Sequence, residues 1–538
     1  MVVTSIQLWK DYDRTMLPLR KSLISSTEKD GTKISYYYYN GEAAFDGVTR
    51  VFCKLVEPLE KATAAVLVMD DYDRGVDLFD YFEFVRRGFA VLIVDYAGNN
   101  PSFSRFTIYP KSLHLGNAYE HLGKINAVEG SVKLSSRYIW ATCAMRGITL
   151  LEELGYDKVM MLGVGDGGNQ VYKAALFENN LVCAAVKYSG TLENLPDDLS
   201  ADELAFKTAL SNISYSKYIK CPLLLQITSN EQNSGFDEMN EFFDSLEGDD
   251  KLLAVSPRCN KMIEPKQKNV IPIFFSSVLE SSQLPKTPTI SMRASEKSLY
   301  VEVSTDSSLP VSSVTLLVAY SQKISAYRNW HNQKLQKISE NEYLSKVPVY
   351  SATEPVYAFV NVSYENGLTV SSPTETVIPK SIGVEAVPAP AIRRLYDNEM
   401  GVSDWIIMPS DKTTQSFEDE TLSMEDGPFE ISGVTCSTNK IATLTLADSR
   451  FQGNFNSVLQ LIMFSPENQT ITFAATSSLG FTKYYCTRNI SPSDNWSKFS
   501  LSPQDFRSGD GTLQSFSNIL TFEIHGESKF LVNSLLWV

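Results

Sequence analysis

The chain has 538 residues, of which 43% are hydrophobic and 21% charged, and a formal net charge of -15. That length exceeds what one hydrophobic core supports, so three or four domains of ordinary globular composition are expected. An acidic balance without a basic stripe argues against nucleic-acid partners and against anionic membrane surfaces. The first residues, MVVTSIQLWKDYDR, lack a basic segment followed by an apolar one, and no apolar run reaches the ~18 residues of a spanning helix. Neither a signal peptide nor a membrane span is expected, and the location expected is cytoplasmic. Seven cysteines without C-x-x-C spacing read as reduced thiols, mostly core, and no metal site is expected from them.

Strand-like runs at 34–39 and 48–55 predict a leading antiparallel pair. Ala64–Met69 is short, apolar and β-rich, as a buried parallel strand should be. A helix over 79–87, stopped by Gly88, leads to a second buried strand, Ala90–Asp95. Leu134–Leu154 has helical period and ends at Gly155. The run 159–162 is a strand and 169–178 a helix; strands follow at 183–186, 222–227 and 252–255, with a helix over 236–246. Strands alternating with helices predict a mostly parallel, doubly wound α/β sheet.

The texture changes near Leu284-Pro285. From 285 to 386 helices vanish, and runs such as Ser313–Tyr320 and Val356–Val362 suit a small immunoglobulin-like sandwich. After the proline-rich joint Val387-Pro388-Ala389-Pro390, residues 391–538 carry strand signals at short intervals, the texture of a jelly roll.

The most informative segment is Gly163-Val164-Gly165-Asp166-Gly167-Gly168, between the strand at 159–162 and the helix at 169–178. Strand, glycine turn and helix make a nucleophile elbow of the G-x-S-x-G kind, but Gly165 stands where the serine belongs. The same residues satisfy G-x-G-x-x-G, a dinucleotide fingerprint. That site wants an acidic residue about twenty positions on. The next strand instead ends Lys187-Tyr188-Ser189-Gly190, which favours a decayed elbow.

Residues 1–284 resemble the acetyl xylan esterase and cephalosporin C deacetylase branch of the α/β-hydrolases. The likeness rests on Asp95-Tyr96-Ala97-Gly98, where the family has Asp-x-x-Gly after a strand, on Tyr109-Pro110, on Trp140, and on Cys221-Pro222-Leu223-Leu224-Leu225. The resemblance implies a triad in the chain order serine, acid, histidine. Gly165 falls at the serine, Glu231 is the best candidate for the acid, and Lys261 stands in the histidine's place. The four histidines are His114, His121, His331 and His525, and none lies between Glu231 and residue 284. A protonated lysine is a poor general base near neutral pH.

The loop after Ala64–Met69, where such esterases place oxyanion donors, reads Asp70-Asp71-Tyr72-Asp73-Arg74-Gly75. Carboxylates there oppose a developing oxyanion. They are read as solvated loop residues pointing away, with a cation or amine site as the alternative. Asp166 is expected to cap the elbow helix. Cys143 reads as core and Ser189 as a strand-end hydroxyl without a histidine neighbour. His114 and His121 read as surface or structural residues.

In the last segment, Trp496–Phe506 and Asn518–Val538 resemble galactose-binding-like, carbohydrate-binding jelly rolls. Trp405, Tyr396 and Tyr484 are candidates for a sugar-stacking platform, or else fill the core. The expected fold is thus α/β: an α/β-hydrolase sheet, then an immunoglobulin-like sandwich and a jelly roll. The expected function is that of a catalytically inactive, carbohydrate-esterase-like binding or scaffold protein. It needs no cofactor, and a carbohydrate or small molecule is its expected ligand. The alternative is an active esterase on small or sugar esters, using residues the sequence does not single out.

Overall fold

The computed structural model describes residues 3–178, 181–188, 198–231, 235–248, 250–390, 392–408, 420–509 and 511–538. The first sheet has nine strands: β1 (Ser22–Lys29), β2 (Thr32–Ala44), β3 (Gly47–Pro58), β4 (Ala64–Met69), β5 (Phe89–Asp95), β6 (Val159–Val164), β7 (Leu181–Lys187), β8 (Leu223–Thr228) and β9 (Lys251–Ser256). Their spatial order is β1-β2-β3-β5-β4-β6-β7-β8-β9. β1, β2 and β3 are antiparallel, and β3 joins β5 antiparallel. From β5 to β9 every pairing is parallel. The unbroken apolar runs dictate this, since β4, β6 and β8 are buried at every position and need cover on both faces.

The helices are α1 (Ser5–Trp9), α2 (Phe82–Arg86), α3 (Ser136–Glu153), α4 (Gly168–Phe177), α5 (Ala201–Ala209), α6 (Phe236–Ser245) and α7 (Val270–Leu279). α3, α4 and α6 supply Trp140, Tyr172 and Phe242 to the core on one face. α2 and α7 supply Phe84, Phe274 and Phe275 to the core on the other. This mixed sheet fits the α/β-hydrolase expectation. Several elements differ from the reading of the sequence, which placed no helix at α1, α5 or α7. β1 went unpredicted because its polar residues are largely exposed, and α2 is shorter than expected. α2 starts only after Asp80, whose carboxylate accepts the Phe82 N–H at 3.1 Å.

Further all-β sheets follow. β10 (Thr289–Ser295), β11 (Ser298–Ser304), β12 (Val311–Tyr320), β13 (His331–Gln333), β14 (Gln336–Lys337), β15 (Glu342–Val347), β16 (Val356–Tyr364), β17 (Thr369–Ser371) and β18 (Glu375–Val377) form two sheets, β10-β11-β15-β14 and β13-β12-β16-β17, with β18 on β16. Along β12, Leu316 and Val318 enter one core while Leu317 and Ala319 enter the other, so this strand is buried on both faces. The open edge of β9 is closed by side chains from here. Asn361 Nδ2 donates to the Val255 carbonyl at 2.9 Å, and the Val255 N–H donates to Ser371 Oγ at 2.8 Å.

Beyond residue 391 a six-stranded and a seven-stranded sheet enclose a third core, with Leu459–Phe464, Gln469–Ser477, Ile519–His525 and Leu531–Trp537 among their strands. All seven cysteines are free thiols, and all but Cys221 are buried. No helix among the described residues is long and apolar enough to cross a membrane.

Candidate functional site

The elbow is built as its glycines require. Gly165 has φ +53°, a left-handed conformation that costs any side-chain-bearing residue. A Cβ on Gly167 would strike the Met69 carbonyl, so β4 and the turn touch backbone to backbone. α4 then begins at Gly168.

The space over Gly165 is filled. A Cβ built there would lie 2.7 Å from Cγ of Asp71 and closer still to Oδ2. Asp71 Oδ1 accepts the backbone N–H of Asp166 at 3.1 Å and its own neighbour's, that of Tyr72, at 3.2 Å. In a working elbow, the N–H of the residue after the nucleophile is an oxyanion donor. One carboxylate therefore occupies both the nucleophile's space and that donor. This corrects the expectation of solvated aspartates. Asp70 and Asp71 are 4% and 9% exposed, and Asp71 points into the site. Burial pushes the Asp71 carboxyl up to about 7, with Lys261 pulling it down and Asp166 and Asp73 adding to the rise.

The other predicted triad positions do converge here. Lys261 Nζ lies 4.0 Å from Glu231 Oε1, both side chains largely buried, and its charge also reaches Asp71. Glu231 follows Asn230, whose amide donates to the carbonyls of Ala326 and Arg328 at 3.2 and 2.8 Å. The loop of the would-be acid is thus held by the segment between β12 and β13. The result is a buried constellation of two carboxylates and an ammonium where a triad would carry a hydroxyl and an imidazole.

Asp166 does not cap α4, another correction. Arg137 Nη1 of α3 donates to both of its carboxylate oxygens, at 2.6 and 2.7 Å, and Oδ1 also accepts from Asn169 Nδ2 at 3.2 Å. Arg137 escaped the sequence reading because it lies in an otherwise apolar run. Lys187, at the end of β7, was also missed. Burial lowers its ammonium to about 8, opposed by Asp70, which itself lies 3.4 Å from Arg74. Ser189 lies outside the described residues.

The histidines are engaged elsewhere. His114 and His121 pack edge to face at 5.0 Å, and His114 faces Glu129 at 3.4 Å. His331 bonds Asp448 at 3.2 Å, and His525 bonds Glu523 at 2.8 Å. Cys143 is core, its thiol pushed up to about 12 by burial and 3.5 Å from the Tyr109 hydroxyl.

The proposed aromatic platform is also corrected. Tyr396 and Trp405 are 1% and 2% exposed and pack edge to face on each other at 5.2 Å, so neither ring offers a free face. Tyr484 is half-buried against the same core.

The mixed sheet, with a glycine turn between β6 and α4, gives this chain an α/β-hydrolase-like fold. No known family profile matches it, and no curated protein matches it. Among solved structures it is similar to acetyl xylan esterase 1 from Thermoanaerobacterium sp. JW/SL YS485, with 15% identity over 49% of this chain and 89% of that chain and a TM-score of 0.35. It is also similar to acetyl xylan esterase from Paenibacillus sp. R4, with 14% identity over 45% of this chain and 83% of that one and a TM-score of 0.35. A cold-adapted esterase from an Arctic intertidal metagenomic library shares 12% identity over 48% of this chain and 98% of its own, with a TM-score of 0.33. Likenesses this distant carry nothing about activity.

Proposed function

We propose that this chain is a non-hydrolytic α/β-hydrolase-like protein, a binding or scaffold protein whose elbow has become a structural joint. The observation that carries this reading is the Asp71 carboxylate seated over Gly165 and bonded to the Asp166 N–H. An ester carbonyl entering there meets negative charge where it needs donors, and finds no hydroxyl to attack it. The buried Lys261 is held between carboxylates and neutralises them. The reading of residues 285–386 as an immunoglobulin-like spacer and of 391–538 as a carbohydrate-binding-like jelly roll belongs to the same proposal, with a carbohydrate or small molecule as ligand.

The test is turnover of a p-nitrophenyl ester and acetylated-sugar panel by the full-length protein, beside its Asp71→Ala and Lys261→Ala variants. The expected result is background hydrolysis in all three. Turnover by the native protein that either variant abolishes would overturn the proposal.

A further inference from the structure

The elbow is one side of a crevice at β4; the other side is open. α2 leaves β4 toward one face of the sheet and α3 leaves β5 toward the other, as Phe84 and Trp140 in separate cores show. Where such connections diverge, the carboxyl ends of the strands bound a natural ligand crevice. Asp71 closes it on the β6 side. On the β5 side lies a cavity of about 220 Å³, room for a single ring and its substituents.

Its wall is aromatic, with Tyr36, Tyr72, Phe103 and Phe106 among the lining residues. Phe103 is seated in advance: a Cβ on Gly75 would come within 2.5 Å of the ring, so the ring lies against the Gly75 backbone. The loop carrying it is pinned by the buried Asn100, which accepts the Ser102 N–H at 2.9 Å and donates to the Tyr119 hydroxyl at 2.5 Å.

The charges of the lining settle the rest. Asp77 is satisfied by the Tyr36 hydroxyl at 2.7 Å and Lys54 Nζ at 3.0 Å. Asp95 accepts the N–H groups of Thr107 at 2.5 Å and Ala97 at 3.2 Å. Arg74 bonds the Leu78 carbonyl at 2.9 Å and faces Asp70. Arg105, exposed at the wall, has no hydrogen-bond or ion-pair partner among the described residues. The charge left to be answered by a ligand is therefore a guanidinium, whose planar fork matches a carboxylate.

We infer that this cavity binds a single-ring carboxylate, its ring against Tyr72 and Phe103 and its carboxylate on Arg105. A sugar acid and an aromatic acid share that chemistry. The inference rests on the non-hydrolytic reading in taking the ligand as held and not cleaved.

The test is calorimetric titration of the full-length protein with galacturonate and, separately, 4-hydroxybenzoate, against their neutral counterparts galactose and 4-hydroxybenzamide. Saturable binding of one acid over its neutral counterpart is expected and identifies the source. Arg105→Ala should weaken it by roughly 10-fold or more, the loss of a charge-assisted pair. Gly75→Ala, which dislodges Phe103, should weaken it with the guanidinium intact. Failure of both acids to bind, equal binding of the neutral rings, or indifference to Arg105→Ala overturns the inference. Ester turnover with selective binding intact would sink only the non-hydrolytic reading; absent binding without turnover sinks only this one.

Discussion

Asp71 and Gly165 are complementary: the carboxylate of one lies in the volume that any side chain on the other would need. The missing serine and the acidic loop are thus one structural fact. Restoring the serine alone restores nothing, because its Cβ meets Asp71 Cγ at 2.7 Å on a backbone at φ +53°. Gly165→Ser should destabilise the protein by about 2–3 kcal/mol, through overpacking and left-handed strain. Asp71→Gly in the same chain should recover about half of that, leaving the backbone strain. Urea unfolding of the two single variants and the double measures this, and simple additivity would refute the interlock.

The same carboxyl predicts a pH dependence. Burial raises its folded-state value to about 7, well above the usual carboxylate range. A raised carboxyl favours the protonated form in the fold, so its stabilising contribution is full below about pH 4 and is lost as pH rises through about 7. Asp95, pushed up to about 6 by burial, acts in the same direction. Asp71→Asn keeps the shape and removes the titration. The urea midpoint of the native protein should fall between pH 4 and pH 7, and that of Asp71→Asn should fall less. Identical profiles would show that Asp71 ionises in the fold at an ordinary value.

Lys261 answers two buried carboxylates, Glu231 at 4.0 Å and Asp71. Removing one partner of a buried pair is strongly destabilising. Lys261→Ala should therefore cost about 3–5 kcal/mol, and adding Glu231→Gln should restore part of it. A thermal melt in which the double variant is less stable than the single one would argue that Lys261 serves something other than charge balance.

Much of this was legible in the sequence. Parallel strands announced themselves as apolar runs, the glycine turn marked the elbow, and the triad order implied by the family resemblance brought Glu231 and Lys261 to it. What was not legible was side-chain direction. Asp70-Asp71-Tyr72-Asp73 reads as a polar loop, and nothing local says that Asp71 turns inward. That depends on Lys261, 190 positions later, and on the vacancy at Gly165. Tyr396 and Trp405 were ambiguous for the same reason, since an aromatic residue in a β-sheet carries the same letter on either face.

The aromatic pair gives a stability prediction in place of a binding one. Trp405, 2% exposed against Tyr396, belongs to the third core. Trp405→Ala should cost about 3–5 kcal/mol in the unfolding of residues 392–538. A variant with native stability and lost sugar affinity would reinstate the platform.

The contact between the second and third sets of sheets turns on Asp448. Burial alone would raise its carboxyl, but hydrogen bonds from His331 and Arg450 hold it below the usual carboxylate range. Arg450 Nη2 and His331 Nε2, at 2.5 and 3.2 Å, both point at Oδ2, and the guanidinium also lies over the rings of Tyr320 and Tyr350 at 4.4 and 5.0 Å. Asp448 thus ties the last segment to β13 directly and, through Arg450, to Tyr320 of β12. A lowered carboxyl contributes stability that is present above its unfolded-state value and is lost as pH falls through its folded one. Asp448→Ala leaves Arg450 without its carboxylate and removes the anchor on His331, a change worth about 3–5 kcal/mol where the pair is buried. The large cores of the two sets are separate clusters, joined by the small apolar cluster in which Tyr327 packs against Ile406, Met408, Ala442 and Leu444, so that loss should fall on the joint and not on the large cores. The expected outcome is two unfolding transitions in the variant against a single one expected for the native protein, with faster proteolysis in 387–395. An unchanged single transition in the variant would mean that the sheets are held together by their apolar contacts alone.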